Sequence, residues 1–230
     1  MPTFLVFFTL SLLAAGAAAQ PALSEFESAW LAAGAPVLRY AREISLPIDI
    51  IVQPQPTPGA VPMAMGFDGG RCKLVLSMRG NAQAAAILAA VPPARRALMI
   101  EAMTAHEVGH CWRYARGDWH VLPSGFTEAG VRYAGNPDLL KEALEMRETR
   151  REEAYADLVA LAWTASRHAA QYGQVYDWLH AVRRARPVAG ASHDTRAWLR
   201  LAPAGAAFAA AATPFDAALP LWRQGLIGDK

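Results

Sequence analysis

The sequence predicts a mainly α fold of the α+β type, in which several helices are accompanied by a small sheet. Three observations carry this expectation. Apolar residues recur at helical spacing through three long stretches, whereas only two short runs, Ile48–Val52 and Cys72–Met78, have the composition and the bounding residues of strands. Ala102, Met103, Ala105, Val108, Cys111 and Trp112 surround nearly the whole circumference of one helical stretch, and a helix apolar on all sides is buried. At 230 residues, 53% of them hydrophobic, the chain has the material for a substantial core within a single domain. That domain is expected over residues 20–230, and no repeat of fixed period divides it. A net charge of +2 without a long basic run argues against a nucleic-acid partner, although Arg183, Arg184 and Arg186 lie close together.

Met1 to Ala19 reads as a secretory signal peptide. Its apolar run, Phe4 to Leu13, is short for a membrane span, and the small residues from Ala14 to Ala19 fit a cleavage site before Gln20. No Lys or Arg precedes the run, so an uncleaved amino-terminal anchor stands as the alternative. No second run is long enough to span a bilayer, and the mature chain is expected to be exported, periplasmic or secreted. The chain has two cysteines, Cys72 and Cys111, and an even count in an exported protein permits one disulfide. The alternative is two separate buried thiols.

In chain order, Pro21 to Glu43 carries Leu23, Phe26, Trp30, Leu31, Val37, Leu38 and Tyr40 at helical spacing, with Ser24 as a cap and a break expected near Gly34-Ala35-Pro36. The first strand follows at Ile48–Val52. Gln53 to Gly66, with four prolines, reads as a loop, and Cys72–Met78 as the second strand, closed by Gly80-Asn81. Pro92-Pro93 suit a first helical turn and open a helix that ends near Gly117. A connection with a short helix around Phe126 to Tyr133 comes next. After Asn136-Pro137-Asp138 a long helix sets Leu139, Leu140, Leu144, Tyr155, Leu158, Val159 and Trp163 on one side, and its charged middle, Glu145 to Glu153, is expected to be largely a solvated face.

The chemistry lies in His106-Glu107-Val108-Gly109-His110. Residues four apart on a helix are about 40° apart around its axis, so both imidazoles can converge on one metal ion, with Glu107 beside them about 100° round. This is the H-E-x-x-H arrangement, in which two neutral histidines hold zinc and the carboxylate serves as general base towards water. A catalytic zinc needs a third protein ligand and an open position. Glu153-Ala154-Tyr155-Ala156-Asp157 supplies one where charged residues give way to core. Glu153 can ligate, while Asp157, four residues on, can accept a hydrogen bond from the far nitrogen of a ligand histidine. Glu148 and Glu152 lack that apolar setting and read as solvated. Cys111 points about 100° away from His110 and reads as a staple to Cys72 instead of a ligand.

With H-E-x-x-H at 106–110 and E-x-x-x-D at 153–157, the chain resembles the gluzincin class of zinc metallopeptidases. The resemblance spans about Arg71 to Trp163. It implies a compact zincin-like domain, with the small sheet over the motif helix and a second helix delivering the third ligand, one zinc ion and a peptide or protein substrate. A metzincin pattern fails, because Arg113 and Arg116 stand where its glycine and third histidine belong, and His120 lies too far along. In zincins a substrate adds to an edge strand beside the metal, a role that Cys72–Met78 could take, or else it is an ordinary core strand. Gluzincins often place a residue to stabilise the oxyanion. His193, in Gly190-Ala191-Ser192-His193-Asp194, could do so or be a plain loop histidine beside a helix capped by Asp194 or Ser192. The expected function is therefore an exported zinc peptidase. Its alternatives are a silent zinc-binding scaffold and a chaperone or assembly protein retaining the fold.

Overall fold

A computed structural model describes residues 22–56, 60–126, 137–185 and 191–228. The expected leader (1–19) and most of the expected short helix (126–133) lie outside these residues, as do Gly190 and the side chain of Leu139. The protein is mainly helical with one small sheet. No described helix is long and apolar enough to cross a membrane.

Helix α1, Glu25–Glu43, begins with a reciprocal cap: Glu27 N–H donates to Ser24 Oγ, and Ser24 N–H donates to the Glu27 carboxylate. The break expected at Gly34-Ala35-Pro36 does not occur. Pro36 lies inside α1 on its exposed side, where the lost backbone hydrogen bond is open to water. On the other side Gly34 is buried so tightly that a β-carbon there would collide with Thr104 of the motif helix. Packing of α1 on that helix overrides the local propensity.

The sheet has three strands where two were expected: β1 (Ile48–Val52), β2 (Met63–Asp68) and β3 (Arg71–Leu76), in the order β1-β3-β2. β1 runs parallel to β3 with Ile48 opposite Cys72, and β2 runs antiparallel with Met65 opposite Leu74. β2 falls largely within the segment read as a loop. It contains no β-branched residue, but the Gly69-Gly70 pair that follows, with both φ angles positive (57° and 73°), makes the tight hairpin turn that pairs it with β3. β3 is consequently the central strand and cannot be a docking edge. Cys72, Leu74 and Leu76 alternate inward from it with 0% exposure.

A short α2 (Ala82–Ala86), capped by Asn81, leads to the motif helix α3 (Pro93–Ala115), which starts at the expected prolines. α3 packs under β2 and β3 and is joined to the sheet by the Cys72–Cys111 disulfide. On its other flank lies α4 (Pro137–Arg167), whose segment from Ala154 to Trp163 is buried on every side. Gly109 lets these two helices touch: a β-carbon there would stand 3.2 Å from Ala156 Cα and from Val159 Cβ. The charged middle of α4 is less solvated than expected, since Arg147, Arg150, Arg151 and Glu152 are buried. α5 (Tyr172–Arg184), α6 (Arg196–Leu199) and α7 (Pro214–Gly228) complete the packing around α4.

Candidate metal centre

The close approach at Gly109 brings one turn of α3 against one turn of α4, and His106, His110 and Glu153 meet there. His106 Nε2 and His110 Nε2 are 3.1 Å apart. Glu153 Oε2 is 3.5 Å from His106 Nε2, and Glu153 Oε1 is 3.4 Å from His110 Nε2. These three residues could hold a metal ion, each offering one ligand atom. For tetrahedral zinc with ligand distances of about 2.0–2.1 Å, neighbouring donors should be about 3.3–3.4 Å apart. The two imidazole nitrogens stand near that separation, and Glu153 presents a different oxygen to each of them at about the same distance, so the donor set fits zinc.

The surrounding groups fix this arrangement. Asp157 is fully buried, and its Oδ1 lies 2.9 Å from His106 Nδ1, which directs Nε2 towards Glu153. Arg183 of α5 donates to Asp157 at 2.7 and 2.6 Å and to Glu153 Oε2 at 3.1 Å, and Thr195 Oγ1 donates to Asp157 at 2.5 Å. His110 Nδ1 is buried without a hydrogen-bond partner among the described residues.

Burial disfavours a proton on His106, but the Asp157 and Glu153 carboxylates outweigh it and hold the imidazole pKa up at about 10. Burial likewise disfavours ionised Glu153 and Asp157. The histidines nevertheless pull Glu153 well below the usual carboxylate range, and Arg183 with His106 brings Asp157 down to about 2. Without a bound cation, a protonated imidazole stands between two ionised carboxylates.

Glu107, the residue expected to act as base, is partly buried on the β2 side of α3. Burial raises its pKa against the opposing pull of His106 and His110, and the Met65 N–H donates to its carboxylate. Met65 belongs to β2, which pairs only with β3 among the described strands, so β2 and not β3 is the edge beside the site. His193 does face the cluster. Its Nε2 is 3.5 Å from Glu153 Oε2, and its Nδ1 is 3.0 Å from Ser192 Oγ. Neither Ser192 nor Asp194 caps α6. Thr195 occupies that position with its hydroxyl turned to Asp157, and Asp194 pairs with Arg196.

Sequence reasoning missed Arg183 and Thr195, which hold Asp157, and the buried pair of Arg113 with Glu152. Arg183 lies on the inward stripe of α5, with Tyr172, Val175 and Leu179, and an arginine in register with apolar residues was the available signal. Glu152, expected to be solvated, is 1% exposed and takes a two-pronged pair of hydrogen bonds from buried Arg113 at 2.9 and 2.8 Å. That arginine lies 39 residues away, beyond the reach of local patterning. Glu148 is about half exposed, as expected, and contacts His120 at 3.4 Å. Cys111 points away from the cluster to Cys72, with Cα atoms 5.6 Å apart. Compared with models of protein families, with curated proteins and with solved structures, the chain matches none.

Proposed function

We propose that this chain is an exported zinc-dependent metallopeptidase, a hydrolase of peptide bonds in which His106, His110 and Glu153 hold one zinc ion and Glu107 is the general base. The observation that carries the reading is the convergence of one donor atom from each of His106, His110 and Glu153, all within 4.8 Å of one another, with the Glu107 carboxylate of raised pKa beside the histidines on their helix. When bound, zinc supplies positive charge that acidifies a water and polarises a substrate carbonyl.

Glu107 takes the proton of the attacking water and passes it to the leaving amine, a role helped by a carboxylate less acidic than usual. Asp157 keeps the His106 ring aligned. His193, steadied by Ser192, donates to the carbonyl oxygen as it gains charge. An extended peptide would add to the outer edge of β2, which carries it past Glu107. Export is supported by the leader-like first 19 residues and by the disulfide.

The test compares zinc-loaded wild type with Glu107→Gln on a mixed peptide library. The variant should keep its zinc and its fold and lose turnover by about 10²-fold or more. Equal cleavage by the two proteins would remove Glu107 from the mechanism. No cleavage by the wild type would leave a zinc-binding scaffold as the better reading.

A further inference from the structure

A second buried ion pair, unused by the chemistry above, holds the chain that follows α3. Arg113 and Glu152 are 5% and 1% exposed. Glu152 also accepts the His120 N–H at 2.9 Å, and Arg113 Nη2 donates to the Val121 carbonyl at 3.1 Å. His120 is thereby kept at φ 60°, a left-handed backbone that costs a non-glycine residue energy and tends to persist where the surroundings impose it. Buried pairs of this kind are weak evidence for stability alone. What this one fixes is the position of Trp119.

Trp119 sets its ring edge-on to His110, with centroids 5.5 Å apart at 71°, and lies flat on Tyr114 at 3.9 Å. Tyr114 in turn stacks on Phe67 of β2 at 5.4 Å. The rings thus run from the donor cluster to the edge strand. They are not sealed in the core: Phe67 is 40% and Val121 52% exposed, and Trp119 is only partly covered. His120, whose side chain lies 3.4 Å from Glu148, is about one third exposed. An exposed apolar surface continuous with a ligand cluster marks a place for an apolar ligand group.

We propose that Trp119 is a specificity-determining residue. With Phe67 and Tyr114 it seats a large apolar side chain of a peptide, preferentially an aromatic one, next to His110. This inference rests on the metallopeptidase reading and is tested by a binding measurement that needs no turnover. Calorimetry on the zinc-loaded protein would compare acetohydroxamate with a hydroxamate carrying a benzyl side chain, using wild type, Trp119→Ala and Trp119→Phe.

The wild type should prefer the benzyl compound by about 10-fold, the size expected of a favourable ring contact beyond simple burial. Trp119→Ala should bind the two within about two-fold of each other, and Trp119→Phe should retain part of the preference. Equal binding of the two compounds by the wild type would overturn the inference. So would an undiminished preference in Trp119→Ala. Failure of both compounds to bind the wild type would overturn it together with the metal centre. Selective binding without any peptide cleavage would uphold Trp119 and sink the hydrolase reading alone.

Discussion

Arg183→Met removes a guanidinium that touches both Asp157 and Glu153, and its cost can be worked out from the structure. Arg183 and Asp157 side chains are 8% and 0% exposed, so the truncation strands a buried carboxylate, which typically costs about 3 to 5 kcal/mol. Proton linkage points the same way: burial raises the Asp157 pKa, yet Arg183 and His106 hold it at about 2 against an ordinary 3.8, and that net shift of roughly 2 kcal/mol is what remains after the cost of burial. A loss of about 3 kcal/mol at neutral pH is therefore expected.

The folded-state pKa of Asp157 is depressed, so the stabilisation it reports is complete above about pH 4 and fades as the pH falls towards 2. The gap between wild type and variant should narrow over the same window. Urea unfolding followed by circular dichroism, in metal-free buffer from pH 7 down to pH 3, measures both quantities. A loss under about 1 kcal/mol at pH 7, or a gap that stays constant with acid, would refute the claim that Arg183 supports the carboxylate pair.

The remaining expectations concern the frame of the site. Replacing both Cys72 and Cys111 with alanine should destabilise the protein by about 4 kcal/mol on the chain-entropy estimate for a 39-residue separation, and free-thiol titration of the unreduced, denatured wild type should find none. Arg79→Ala should destabilise the start of α1, because Glu27 is fully buried and receives the Arg79 guanidinium at 3.0 and 2.8 Å. Arg79 holds Glu27 at about 2 against an ordinary 4.5, so this contribution is present above about pH 4.5 and disappears as the pH falls towards 2. Acid titration of unfolding in wild type and variant should converge there.

The donor cluster was legible in the sequence because both of its halves are local. His106 and His110 share a helix face by spacing alone, and so do Glu153 and Asp157. The staple was legible because two cysteines allow one pairing. What escaped depends on contacts made across the fold. Pro36 signals a break, yet Gly34 against Thr104 commits α1 to continue through it. Glu153 was separable from its neighbour Glu152 by its apolar setting, but the turn of α4 aims Glu152 at Arg113, a buried partner that composition could not reveal. β2 escaped because Met-Ala-Met-Gly-Phe-Asp pairs through its backbone and through the turn after it, while its side chains have little strand preference.

The charges around the donor cluster balance in a way that yields a last expectation. In the metal-free protein, ionised Glu153 and Asp157 face Arg183 and a protonated His106, two negative charges against two positive. His106 cannot offer Nε2 to a cation while that nitrogen holds a proton, and its pKa of about 10 means that it does so at neutral pH. Zinc uptake should therefore release about one proton per ion at pH 7, plus whatever fraction Glu107 has retained through its raised pKa. With both protons gone, three carboxylates face Arg183 and a divalent ion, and the charges again cancel. Calorimetric titration with zinc in buffers of different ionisation enthalpy counts the protons directly. Release of roughly one, falling away as the pH is raised past 10, is the expected result; uptake without proton release at pH 7 would mean that the carboxylates do not hold His106 in its charged form.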